Sequence, residues 1–98
     1  MYINIIRSYR DIVAICDAEL LGKIFEEDNF QLDVKENFYK GEKKTEKEVI
    51  PIMRDMAIED ATFNIVGEKA VNAAIKAGII NKHGIKRIGG IPFAMILM

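Results

Sequence analysis

The chain has 98 residues, half of them apolar and 30% charged, which fits one folded domain and excludes a disordered segment. Fourteen Lys and Arg face fifteen Asp and Glu for a formal charge of −1, so bulk attraction to nucleic acid is excluded. One cysteine excludes an internal disulfide, and with a single histidine it cannot complete a structural zinc site.

The longest purely apolar run is Ile91 to Met98, too short to cross a bilayer. Arg7 and Arg10 interrupt an N-terminus that patterns like a strand and not like a signal peptide. A soluble, cytoplasmic single domain spanning residues 1–98 is expected.

Met1–Ser8 and Asp11–Cys16 are rich in β-branched residues and read as a hairpin, although its turn lacks Gly or Asn. From Asp17 the period changes: Leu20, Leu21, Ile24 and Phe25 recur at helical spacing, with Asp17 as N-cap and Gly22 as a weak point. Phe30, Leu32 and Val34 alternate with polar neighbours, the pattern of a strand with one apolar face. Within the polar stretch Lys40–Lys47, Thr45 and Glu48 form a capping-box signature. Val49, Ile52, Met53 and Met56 continue it as a helical stripe. Pro51 conflicts with that helix, so a kink or an effective start at Pro51 is expected.

Val66, Ala70, Ala73, Ala74 and Ala77 share one helical face, and Gly78 follows as the left-handed C′ residue. Ile85–Met98 reads as a hairpin closed by Gly89-Gly90, the pair that primed two-residue turns require. There Arg87 faces Pro92, whose missing N–H points outward and marks the last strand as at least partly an edge. The expected fold is α+β: a mostly antiparallel or mixed sheet of about five strands with about three helices packed on it.

Four groups bear on chemistry. Cys16, at a strand end before a helix, is a candidate reactive thiol, with Asp17 or His83 as its partner in a small enzyme. Asp17 opposes thiolate formation, and a buried structural cysteine is the simpler reading. Lys82, His83, Lys86 and Arg87, followed by Gly89 and Gly90, make a basic patch at a turn able to hold phosphate or an RNA backbone, against the alternative of a solvated hairpin. The lysines at 40, 43, 44 and 47 alternate with glutamates and read as a solvated loop, as do Glu26-Glu27-Asp28 and Glu59-Asp60. Finally, Ile91–Met98 is apolar on both strand faces and needs a cover, supplied either by the same chain or by a second copy or partner.

Four segments together, Cys16–Lys23, Phe38-Tyr39 with Gly41-Glu42, Asn64–Val71 and Arg87–Pro92, resemble the DUF 424 family of small archaeal proteins of unknown function. The resemblance implies a stand-alone archaeal cytoplasmic domain, with RNA, ribosome or initiation-factor partners. It transfers no catalytic residue, metal or cofactor. After its Gly-x-Pro element the family continues in a more polar way, where this chain has Phe93-Ala94-Met95. Asn64, between Phe63 and Ile65, either caps the following helix or faces a ligand groove with Arg87 and Lys69. The leading expectation is a non-catalytic binding module using Asn64, Lys69, Lys82, His83, Lys86, Arg87, Gly89 and Gly90. Its partner is a protein, RNA or ribonucleoprotein, or a second copy through residues 91–98.

Overall fold

A computed structural model describes residues 1–96. Strands β1 (Tyr2–Ile6) and β2 (Ile12–Cys16) form the expected antiparallel hairpin, Ile3 opposite Ile15 and Ile5 opposite Val13. Asp11 does the work that Gly or Asn would do in its turn. Its carboxylate accepts from the Arg7 guanidinium at 2.7 Å and from the Ser8 N–H at 3.2 Å, and these two bonds hold its pKa below the usual range.

The helix expected after Asp17 shrinks to one 3-10 turn, Ala18–Leu20. Ile24 and Phe25 instead belong to β3 (Ile24–Glu27), which pairs with β4 (Phe30–Asp33) as a separate two-stranded sheet. The helical spacing was accidental: Gly22 takes φ +82° and its N–H donates to the Val34 carbonyl at 2.7 Å, so the chain reverses there. The alternating segment is a strand as expected, yet only Val34 is fully buried, while Phe30 is largely exposed.

A single helical turn, α1 (Glu36–Tyr39), precedes the short strand β5 (Glu42–Lys43), which pairs with the start of β1. Helix α2 (Glu46–Ile58) starts at the Thr45–Glu48 capping box, with the Thr45 N–H donating to Glu48 Oε1 at 3.0 Å. It does not begin at Pro51. That proline lies exposed inside the helix, which continues past it because Val49, Met53 and Met56 are buried on the other side.

Strand β6 (Thr62–Val66) runs parallel to β2 and leads into helix α3 (Glu68–Lys76), which buries Ala70, Ala73 and Ala74. Gly78 ends it as expected. Its N–H donates to the Ile75 carbonyl and that of Ile79 to the Ala74 carbonyl, the paired bonds of a Schellman motif. After a 3-10 turn at Lys82–Gly84 come β7 (Lys86–Ile88) and β8 (Ile91–Ile96). Gly89 and Gly90 both take positive φ between them, as a type I′ turn demands.

The main sheet is six-stranded and mixed, in the order β5-β1-β2-β6-β8-β7. The edge is not at Pro92, since there β8 lies between β6 and β7. Pro92 is tolerated inside because it sits where β6 has just ended. It faces Arg87 as expected, and its carbonyl still accepts from the Gly67 N–H at 2.8 Å. An edge persists elsewhere: β7 covers only Ile91–Phe93, and Ala94–Ile96 have no ladder partner on that side among the described residues. Leu97 and Met98, the end of the expected apolar tail, lie outside the described residues.

Alternation along the strands divides the interior into two. Val13, Ile15, Phe63, Ile65 and Ala94 face α2 and α3. Ala14, Cys16 and Val66 face the opposite layer, made of the 3-10 turn, Val34 and Tyr39. Each large, fully buried side chain stabilises the fold by about 1.5–3 kcal/mol relative to exposure, so Phe63 and Ile15 dominate the helix-side core.

Candidate functional site

On the face opposite α2 and α3, a cleft opens between the covering layer and strands β6 and β8. Register places Asn64 opposite Met95, Val66 opposite Phe93, and Phe93 opposite Lys86, so these side chains share that face. Above them stand Gln31 and Leu32 of β4 and Tyr39 of α1. The result is a cleft of about 140 Å³ lined by apolar Leu32, Val66, Ile88, Phe93 and Met95, together with three polar residues, Gln31, Tyr39 and Asn64.

The polar groups differ in what they already hold. Gln31 Nε2 donates to Glu26 Oε1 at 3.1 Å. Asn64 and Tyr39 make no side-chain hydrogen bond among the described residues, although Asn64 is partly buried and Tyr39 only 6% exposed. Every fully buried side-chain nitrogen and oxygen among those residues has a partner. The Tyr39 side chain lines the cleft. Burial, and then the neighbouring Cys16, push its pKa up to about 12, which keeps it a neutral phenol.

The residues singled out in the sequence do not all converge. Asn64 reaches the cleft from mid-strand and does not cap α3. Arg87 lies on the other face, where its guanidinium donates to Glu68 Oε1 and to the Gly90 carbonyl, each at 2.9 Å. Lys69, in the first turn of α3, lines a different depression with Met1, Lys43 and Glu48. The groove expected to join Asn64, Arg87 and Lys69 is therefore not formed.

Gly89 does not present a free phosphate cradle either, because its N–H donates to Glu27 Oε1 at 3.0 Å and clamps the tail hairpin to β3. Lys82, His83 and Lys86 are exposed, and none forms an ion pair among the described residues. Gly84, Lys86, Phe93, Ala94 and Met95 line a second hollow of about 160 Å³ beside the free margin of β8.

Cys16 is fully buried, and burial followed by the charge of Asp17 pushes its thiol up to about 11, opposite to an activated nucleophile. His83 occupies the exposed 3-10 turn, its backbone N–H donating to Asn81 Oδ1 at 2.9 Å. Among the described residues no group of three or more His, Cys, Asp and Glu side chains is placed to hold a metal ion, and no helix is long and apolar enough to cross a membrane.

Sequence reasoning missed Tyr39, Phe93 and Met95 as cleft residues. The unusual Phe38-Tyr39 pair in a polar stretch was the available signal, but only the chain reversal at Gly22 and the β4 pairing bring it over the sheet.

The fold and cleft define a single-domain α+β protein built on a mixed six-stranded sheet covered on both faces. A family model described as "Protein of unknown function (DUF424)" matches residues 6–98, so the chain belongs to the DUF424 family. An uncharacterized conserved protein from Methanopyrus kandleri, known from a crystal structure, is similar with a TM-score of 0.87 and 25% sequence identity, over 97% of this chain and 88% of that one. No curated protein matches the chain.

Proposed function

We propose that the protein is a non-catalytic cytoplasmic binding module that engages a ribonucleoprotein partner through its tail hairpin. The observation that carries this reading is the margin of β8 at Ala94–Ile96, left without a ladder partner among the described residues, with exposed Met95 and Lys86 beside it and exposed Lys82 in the turn that leads into β7. A bare strand margin accepts protein backbone, and cations not engaged in ion pairs accept phosphate. A ribonucleoprotein offers both. The sealed, alkaline-shifted Cys16 thiol gives the enzyme alternative no support.

The test is recovery of partners with the tagged protein from its native cells. A bound RNA–protein assembly should be retained at low salt, and Lys82→Glu with Lys86→Glu should reduce its recovery several-fold. Equal recovery by wild type and variant, or no recovered RNA, overturns the reading. Light scattering tests the same margin for self-association, and a concentration-dependent dimer abolished by Met95→Glu would assign it to a second copy through residues 91–96.

A further inference from the structure

We propose that the cleft between β4, α1 and the β6–β8 end of the sheet is a binding site for one unpaired pyrimidine base. The inference rests on the ribonucleoprotein reading only for the source of that base.

Size comes first. An apolar protein cavity of about 150 Å³ holds one benzene ring. The cleft, at about 140 Å³, accordingly has room for a single six-membered ring and is short for a fused purine. Its walls are suited to the faces of such a ring: Leu32, Val66 and Ile88 are aliphatic, Phe93 is aromatic, and Met95 is a polarisable, adaptable side chain.

The polar groups favour a hydrogen-bonding base over an apolar ring. A purely apolar guest would leave the amide of Asn64 and the hydroxyl of Tyr39 without partners, the arrangement that binding disfavours. The Asn64 amide offers a donor and an acceptor side by side, the complement of the donor–acceptor edge of uracil or cytosine. Tyr39 adds a neutral hydroxyl. Just outside, Lys86 stands opposite Phe93 and lines the adjoining hollow, a cation on the side where the ribose phosphate of a bound nucleotide would lie. The chemistry is common to a free nucleotide and to a base in single-stranded RNA.

The experiment is titration of the isolated full chain, followed by NMR on the Asn64 side-chain amide and the Met95 methyl. Uridine and cytidine monophosphates should shift both signals saturably, and adenosine monophosphate should bind at least about tenfold more weakly. Asn64→Val should weaken the pyrimidine nucleotides by about tenfold. Lys86→Gln should weaken the monophosphates but leave uridine unchanged, a readout that loss of folding would not produce. Tighter binding of oligouridylate than of the monophosphate assigns the site to RNA, whereas equal affinities assign it to a free nucleotide.

Wild-type protein whose two signals do not move with any pyrimidine, or move equally with adenosine monophosphate and benzene, overturns the proposal. Because this titration uses no partner, failure here with a persisting effect of the Lys82 and Lys86 variants on partner recovery removes the cleft and leaves the tail surface standing.

Discussion

The carboxylate of Asp17 caps α3 from another part of the chain, and it can do so because residue 67 has no side chain. Asp17 Oδ1 accepts from the Ala70 N–H at 2.8 Å and Oδ2 from the Lys69 N–H at 3.1 Å, while Gly67 occupies the N-cap position with φ +107°. A Cβ at Gly67 would clash with the Asp17 carboxylate. One residue supplies the cap's backbone and the other supplies its oxygen atoms. The buried acid thereby satisfies two helix-end donors and meets the positive end of the helix dipole.

Gly67→Ala should therefore destabilise the protein by about 2–4 kcal/mol, through both the left-handed backbone and the clash. Asp17→Ala should cost about 1–3 kcal/mol, because two helix-end N–H groups lose their acceptor. The double variant should be less destabilised than the sum by about 1 kcal/mol, since removing the carboxylate relieves the clash. Urea unfolding of the four proteins measures the coupling. Strict additivity would mean that the two residues do not meet.

Alkaline pH should weaken the fold, and pH near neutrality should not. The folded state raises the Cys16 thiol from 9.0 to about 11 and the Tyr39 phenol from 10.0 to about 12. Both groups keep their protons longer when folded. Their contribution is thus intact below about pH 9 and is lost as pH rises toward 11 and 12. The urea midpoint should fall between pH 8.5 and 10.5, and Cys16→Ala should remove part of that fall. In the native state at pH 8 the thiol should resist alkylating reagents, becoming reactive only on unfolding.

Pro51 is exposed inside α2 and supplies no N–H to the helix. Pro51→Ala restores that donor and removes the crowding of the preceding turn, against a smaller loss of unfolded-chain rigidity. Thermal denaturation should show stabilisation by about 1 kcal/mol. A lower Tm would show that the ring has a packing role.

Arg87 is a contrasting case. Its 2.9 Å ion pair with Glu68 joins two largely exposed side chains. Arg87→Ala should cost less than about 1 kcal/mol, and the difference from wild type should shrink in 0.5 M salt as screening increases. The same substitution should leave pyrimidine binding in the cleft unchanged, because Arg87 lies on the opposite face of the sheet.

What was legible in the chain was local. The Thr45–Glu48 capping box, the alanine face of α3 with Gly78 beyond it, the Gly89-Gly90 turn and the first hairpin each depend on a few neighbouring residues and formed as read, except that Val66, read as the start of that helical face, belongs to β6. Asn64 was legible as an odd polar residue among apolar ones, but not which groups it would meet.

Tertiary structure decided matters between distant segments. Leu20, Leu21, Ile24 and Phe25 fit a helix by spacing, but the Gly22–Val34 hydrogen bond and pairing with β4 draw the last two into a strand. Asp17 is suited to cap a helix by its chemistry, yet which helix depends on the parallel pairing of β2 with β6, which sets Cys16 opposite Val66 and the next residues side by side. Pro92 indicates an edge until β6 ends opposite it. By itself the sequence determined what each short segment could form, since those preferences act through adjacent backbone and side chains. Strand order, the owner of each cap and the composition of the cleft required the folded sheet, because they follow from contacts whose partners lie dozens of residues apart.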